Sequence, residues 1–288
     1  MVDPQWDFDA IGGEATSVED ALSSPESVNA QVAQVLSESV GEAPLIPLPE
    51  DDRVTLGGGL YWDGELVTHA QVREMTGEDE EALARVKGSL ARWLSMLLER
   101  TVVRLGDEPA TPKAIRRLLI GDRDELVLGV RIATFGKHIT AQNVQCPHCD
   151  EYFDAKVDLT RIDRVSLEEV KPRHEYTVEL RAGKSAVVRL PDGAAQESIF
   201  ENADATIPER NSLLLAACLV SVTKNGVADT RTGVELAKAL SVSDRRTLIR
   251  FISETQPGPL LDDIRFDHEA CGKEVRLTLE LPDLFRGE

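Results

Sequence analysis

Cys146-Pro147-His148-Cys149 and His268-Glu269-Ala270-Cys271-Gly272 lie 122 residues apart, and the reading of these two stretches decides the fold. Each offers two soft or borderline metal ligands separated by two residues, a spacing that lets one tight turn aim both at a single ion. Together they supply three thiolates and one imidazole, the ligand count of a closed tetrahedral zinc site. The prediction is one structural zinc per chain, held by Cys146, Cys149, His268 and Cys271. His148 is an alternative to His268, made awkward by its adjacency to Cys149, and His174 is a more distant candidate. A redox Cys-x-x-Cys precedes a helix, whose dipole lowers the thiol pKa. Here Glu151–Leu159 and Lys273–Leu281 alternate like strands instead. A hydrolytic zinc needs an open coordination position, and four protein ligands leave none. Cys218 sits in an apolar run and reads as a core residue.

Working outward, the two halves repeat in register. At the same offset of 122, Asp122-Arg123 matches Asp244-Arg245, Leu126 matches Leu248, Val127 matches Ile249 and Val130 matches Ile252. Gly136 then matches Gly258, Val157 matches Leu279 and Leu159 matches Leu281. Upstream, Val72-Arg73 with Gly77 matches Val188-Arg189 with Gly193 at an offset of 116. Such self-similarity predicts a duplicated unit. The expected fold is α+β: two related lobes of hairpin plus helices, 53–161 and 162–288, joined by a zinc-ribbon-like element with an approximate two-fold axis.

Local signals fill in the lobes. Arg53–Leu56 and Glu65–Thr68 read as strands around Gly57-Gly58-Gly59 and Asp63-Gly64. Thr76 caps a helix whose apolar stripe runs from Leu83 to Leu98. Thr111-Pro112 opens another, ended by Gly121, and Asp122 caps the next. Tyr176–Leu180 and Ala186–Leu190 form a hairpin. Asp192-Gly193 precedes a helix reaching Phe200, Ser212–Val222 reads as an apolar helix, and Ser243-Asp244 caps one more. The Arg of each Asp-Arg pair is expected to be solvated or salt-bridged.

Charge is uneven. Residues 1–52 hold twelve Asp or Glu and no Lys or Arg, so of the net −19 the remainder carries −7. One-signed charge with low hydrophobicity predicts disorder in isolation. Within this tail, Trp6, Phe8 and Ile11 suit a docking motif, and Ser24-Pro25-Glu26 begins a short amphipathic helix. Strong acidity argues against binding a nucleic-acid backbone. No apolar run reaches the length of a membrane span. No phosphate loop, Ser-His-Asp order or deaminase signature points to an enzyme or to a small-molecule substrate.

The runs Val72–Gly77, Glu80-Glu81-Ala82-Leu83, Gly121–Leu126 and Cys146–Cys149, with Pro257-Gly258-Pro259, Cys271-Gly272 and Leu284-Phe285, resemble tailed-phage proteins of the T-even baseplate hub assembly type. The resemblance spans residues 44–288. It implies a non-enzymatic structural or assembly protein of a contractile phage tail, or of a tail-like contractile injection system. It also implies two Cys-x-x-Cys knuckles, of which the second begins here with His268. Other baseplate proteins are then the expected partners, with residues 1–43 as a docking segment. The expected location is the host cytoplasm during assembly and the baseplate of the virion or contractile particle. The alternative is a zinc-ribbon regulatory adaptor that binds other proteins.

Overall fold

The computed structural model describes residues 53–201 and 204–285. The expectations for residues 1–52 lie outside them. The fold is α+β, and one order of elements occurs twice. In the first half, β1 (Arg53–Trp62) and β2 (Glu65–Val72) are followed by α1 (Gly77–Ala84) and α2 (Leu90–Thr101). Next come β3 (Val102–Leu105), β4 (Glu108–Pro109), α3 (Pro112–Arg117) and α4 (Ile120–Phe135). A hairpin of β5 (His138–Gln145) and β6 (Tyr152–Asp158) closes this half, with the short β7 (Arg164–Val165) beyond it. In the second half, β8 (Glu175–Leu180) and β9 (Lys184–Arg189) precede α5 (Gly193–Phe200) and α6 (Ile207–Cys218). Then come β10 (Leu219–Lys224), β11 (Val227–Ala228), α7 (Gly233–Ala239) and α8 (Val242–Thr255). The short β12 (Gly258–Pro259) and a hairpin of β13 (Ile264–Asp267) and β14 (Glu274–Leu277) complete it.

Each half builds a four-stranded antiparallel sheet, ordered β1-β2-β3-β4 and β8-β9-β10-β11. The turn chemistry explains the hairpins. Asp63-Gly64 and Asn225-Gly226 both take positive φ, as two-residue turns with the twist of the flanking strands require. In each half the second helix runs directly into the third strand, α2 into β3 and α6 into β10. Two hydrophobic cores result. One gathers Leu56, Val72, Leu97, Leu98, Leu126 and Val130 with Val157 and Leu159, and it also takes in Ile264, Leu279 and Leu284 from the end of the chain. The other gathers Val188, Leu215, Cys218, Leu236, Leu248 and Ile252. Both terminal hairpins therefore contribute to the first core, which brings their tips together.

Several expectations are corrected. The stripe Leu83–Leu98 is two helices, because Gly88 turns the chain at φ +117 between them. Gly121 does not end a helix; it lies in the first turn of α4, where an added Cβ would stand 1.4 Å from the Pro257 carbonyl oxygen. Ser212–Val222 is not one helix. It divides at Cys218, and α6 begins upstream in a Thr206–Glu209 capping box. The β-branched Val220, Val222 and Thr223 ahead of the Asn225-Gly226 turn carried that strand signal. The N-caps of α4 and α8 are Leu119 and Ser241, so Asp122 and Asp244 sit inside the first turn, both buried.

Arg123 is not solvated; it is 1% exposed. Its Nη1 donates to the Ile115 carbonyl, its Nη2 to Ser95 Oγ and its Nε to Gln196 Oε1 of α5. Arg245 repeats two of these bonds, Nη1 to the Ala237 carbonyl and Nη2 to Ser212 Oγ. In both cases the carbonyl lies eight residues before the arginine. The serine is the sixth residue of α2 in one half and of α6 in the other.

Two buried carboxylates carry opposite pH signatures. Asp79 of α1 is fully buried and receives Arg73 Nη1 and Arg100 Nε, each at 2.6 Å. The Arg73 guanidinium holds its pKa well below the usual carboxylate range, against the effect of burial. A depressed pKa contributes stability that is present above the unfolded value and lost as pH falls through the folded one. Asp79→Asn keeps the cap but loses the charge, and with both arginines partly solvated it should cost about 2 kcal/mol at neutral pH in urea titration. Asp122 behaves in the reverse sense. Burial pushes it up to about 6, against N–H groups of Gly57–Gly59, of which Gly58 donates at 2.8 Å. Its contribution is fully present below the ordinary value of 3.8 and is lost as pH rises through about 6. Asp122→Asn should flatten the fall in stability over that window, read from unfolding midpoints at successive pH values.

Candidate metal centre

The β5–β6 and β13–β14 hairpins each end in a knuckle, and the two knuckles share one backbone pattern. Cys146 N donates to the Glu151 carbonyl and Asp150 N to the Cys146 carbonyl. At the offset of 122, His268 N donates to the Lys273 carbonyl and Gly272 N to the His268 carbonyl. The turns close on residues with left-handed backbone, Asp150 at φ +59 and Gly272 at φ +64. Glycine serves this without strain, and aspartate is among the few residues that tolerate it.

The four side chains read from sequence as ligands converge. Their ligand atoms all lie within 4.8 Å of one another. Cys146 Sγ is 3.8 Å from Cys271 Sγ, and His268 Nδ1 is 3.5 Å from Cys149 Sγ and 3.3 Å from Cys271 Sγ. Tetrahedral zinc bonds to sulfur and nitrogen imply ligand separations of about 3.8 Å for S···S and about 3.6 Å for S···N. The donor set therefore fits a closed zinc site, and a Cys-Cys-His-Cys cluster capable of holding a metal is present. Cys146 is buried, His268 is 4% exposed and Cys149 is open to solvent. Burial opposes the Cys146 thiolate, but the backbone N–H groups of His148 and Cys149 and the neighbouring thiols outweigh it, and its pKa falls to about 6. Cys149 is held above its ordinary value despite its hydrogen bond to the Glu151 backbone, because partial desolvation and the two facing thiols disfavour a second charge.

The surrounding shell was not legible in the sequence. Phe153 of β6 stacks on the His268 ring at 4.3 Å and meets Phe266 of β13 edge-on at 5.7 Å. His148 lies outside the cluster. Its Nε2 is 3.0 Å from the Glu274 carbonyl, so the first knuckle is tied to β14 independently of any ion. His174 is also elsewhere, buried and bonded to the Gly59 backbone, with burial holding its pKa low. Cys218 is buried in the second core, where burial pushes its thiol up to about 12. Each knuckle leads into a strand rather than a helix, which removes the geometry of a redox Cys-x-x-Cys. No helix among the described residues is long and apolar enough to cross a membrane.

Residues 65–286 match the family model described as T4 bacteriophage base plate protein. That match covers most of the chain, and the chain belongs to this family. It is thus a structural, non-catalytic protein of the phage baseplate family, whose members assemble with other tail components. No curated protein and no solved structure matches the chain.

Proposed function

We propose that this member of the T4 baseplate protein family builds the baseplate of a contractile phage tail or tail-like injection system, as a structural part or assembly factor, and that one structural zinc braces it. The reading joins family membership to the convergence of Cys146, Cys149, His268 and Cys271, which is the observation that carries it. A zinc-ribbon-like element formed by the two knuckles would clasp two lobes, 53–161 and 162–288, that arose by duplication. The shared element order, the matched knuckle hydrogen bonds and the paired Arg123 and Arg245 networks support that origin. Such a metal acts on folding rather than on chemistry, because four protein ligands exclude substrate. The acidic 1–43 segment would dock on a basic neighbour in the particle, with the assembled particle formed in the host cytoplasm. The experiment is deletion of the gene from its phage or injection-system cluster. Contractile particles without functional baseplates are expected, restored by the wild-type gene; normal particles in its absence would contradict the reading.

A further inference from the structure

The first half of the molecule contains a filled groove, and no helix among the described residues fills the same groove in the second half. In the first half α5 lies against α2, α3 and α4. Its Glu197 accepts from Ser95 Oγ and from Arg116 Nη2, both at 2.6 Å, and its Gln196 accepts from Arg123 Nε. Its first residue, Gly193, packs so closely that an added Cβ would stand 2.6 Å from Arg123 Nη1. Gly193 N donates to the Leu118 carbonyl, and Ile120 N donates to the Pro191 carbonyl.

Every receiving group has a counterpart in the second half. Ser212 stands for Ser95, Lys238 for Arg116, Leu240 for Leu118, Val242 for Ile120 and Arg245 for Arg123. These residues, with Ile207, line a groove of roughly 580 Å³. No α1 residue lines it. Ile207 is 75% and Val242 67% exposed. Arg245 is only half-buried where Arg123 is covered. A closed two-fold between the halves would seat α1 in this groove just as α5 is seated in the other, so the expected two-fold axis does not hold across this contact. The relation is open, and among the described residues it leaves this groove and one helix without each other's counterpart contact.

That helix is α1. At the offset of 116, Gly77 stands for Gly193, Glu80 for Gln196 and Glu81 for Glu197. Glu80 and Glu81 are exposed, and a Cβ added at Gly77 meets nothing within 4 Å. The groove is net basic, with Lys238, Arg245 and Arg246 against Glu209, which is engaged by Thr206. Glu81, exchanging its exposed pair with Arg85, would meet Lys238 and Ser212, and Glu80 would meet Arg245.

We propose that α1 of one copy of this chain docks in the α6–α7–α8 groove of a second copy, head to tail, reproducing between chains the α5 contact made within each. Such a heterologous contact uses different surfaces on the two partners, so it propagates to rings or filaments rather than stopping at a dimer. The inference rests on the repeat and not on the baseplate reading.

Sedimentation velocity of the full chain tests it with two variants that leave the fold alone. Gly77→Leu blocks the helix end, where there is open space within the chain. Lys238→Glu with Val242→Asp blocks the groove end at two exposed positions. The wild type should associate increasingly with concentration, and each variant should weaken this by roughly 100-fold, as expected for residues central to a contact. An equimolar mixture of the two should form a dimer and stop there, because each chain keeps one working end. A wild type that stays monomeric at every soluble concentration would overturn the proposal and leave the groove to a different acidic helix. So would variants that assemble like the wild type, or a mixture that fails to dimerise.

Discussion

Cys146→Ser is expected to abolish stoichiometric metal binding and to remove on the order of 10 kcal/mol of metal-linked folding free energy. Cys146 is the buried cysteine of the cluster, and its sulfur faces Cys271 across the joint between the two hairpins. A hydroxyl there is a poor ligand for a borderline-soft ion, and the three remaining donors, split between two hairpins, hold the metal too weakly to retain it. The hairpins would still be held by Val157 and Leu159 on one side and by Ile264 and Leu279 on the other, all in the first core. The variant should therefore unfold at much lower denaturant, with a midpoint insensitive to chelator, whereas the wild-type midpoint should fall when metal is stripped. Cys218→Ala is the control. It should retain metal, because Cys218 belongs to the second core, and should cost only about 1 kcal/mol for the lost packing.

Arg123→Ala is the second large effect, about 3–5 kcal/mol. The guanidinium is fully enclosed and, from α4, it ties α2, the end of α3 and α5 together. Its removal leaves the Ile115 carbonyl and the Gln196 amide without their donor in a dry site, and each such loss to a charged donor is worth about 1.5–3 kcal/mol. The cavity adds to this. Arg245→Ala removes the matching network, but water reaches that groove, so about 1 kcal/mol is expected. Equal losses in urea titration would show that α5 is not what makes the first site dry.

The difference between the two arginines marks where sequence reasoning stopped. The register of 122 was legible because Asp-Arg, Gly136 with Gly258 and Cys149 with Cys271 recur as identities. The convergence of Cys146, Cys149, His268 and Cys271 was legible because paired ligands two residues apart have few other uses in such a context. Which half buries its arginine was not legible, since that depends on α5 crossing from one half to the other. Helix ends failed for a related reason. Asp122 and Gly121 look like a cap and a stop, yet they are placed by close approach to Gly58 and to Pro257, which are distant in sequence. The run from Ser212 to Val222 misled because a continuous apolar stretch has no period, so only its β-branched end distinguished strand from helix. Phe153 on His268 had no local signal at all, because the two rings meet only when both hairpins are folded.

The central claim is that the two distant knuckles share one zinc ion. X-ray absorption at the zinc edge, with elemental analysis of the same purified sample, tests it most directly. The expected result is one zinc per chain with a four-atom shell: three sulfurs at about 2.3 Å and one nitrogen at about 2.0–2.1 Å. The His268→Ala variant should lose the nitrogen. A wild-type chain that takes up no zinc and gains no stability from it, or a shell with two sulfurs completed by oxygen, would contradict it.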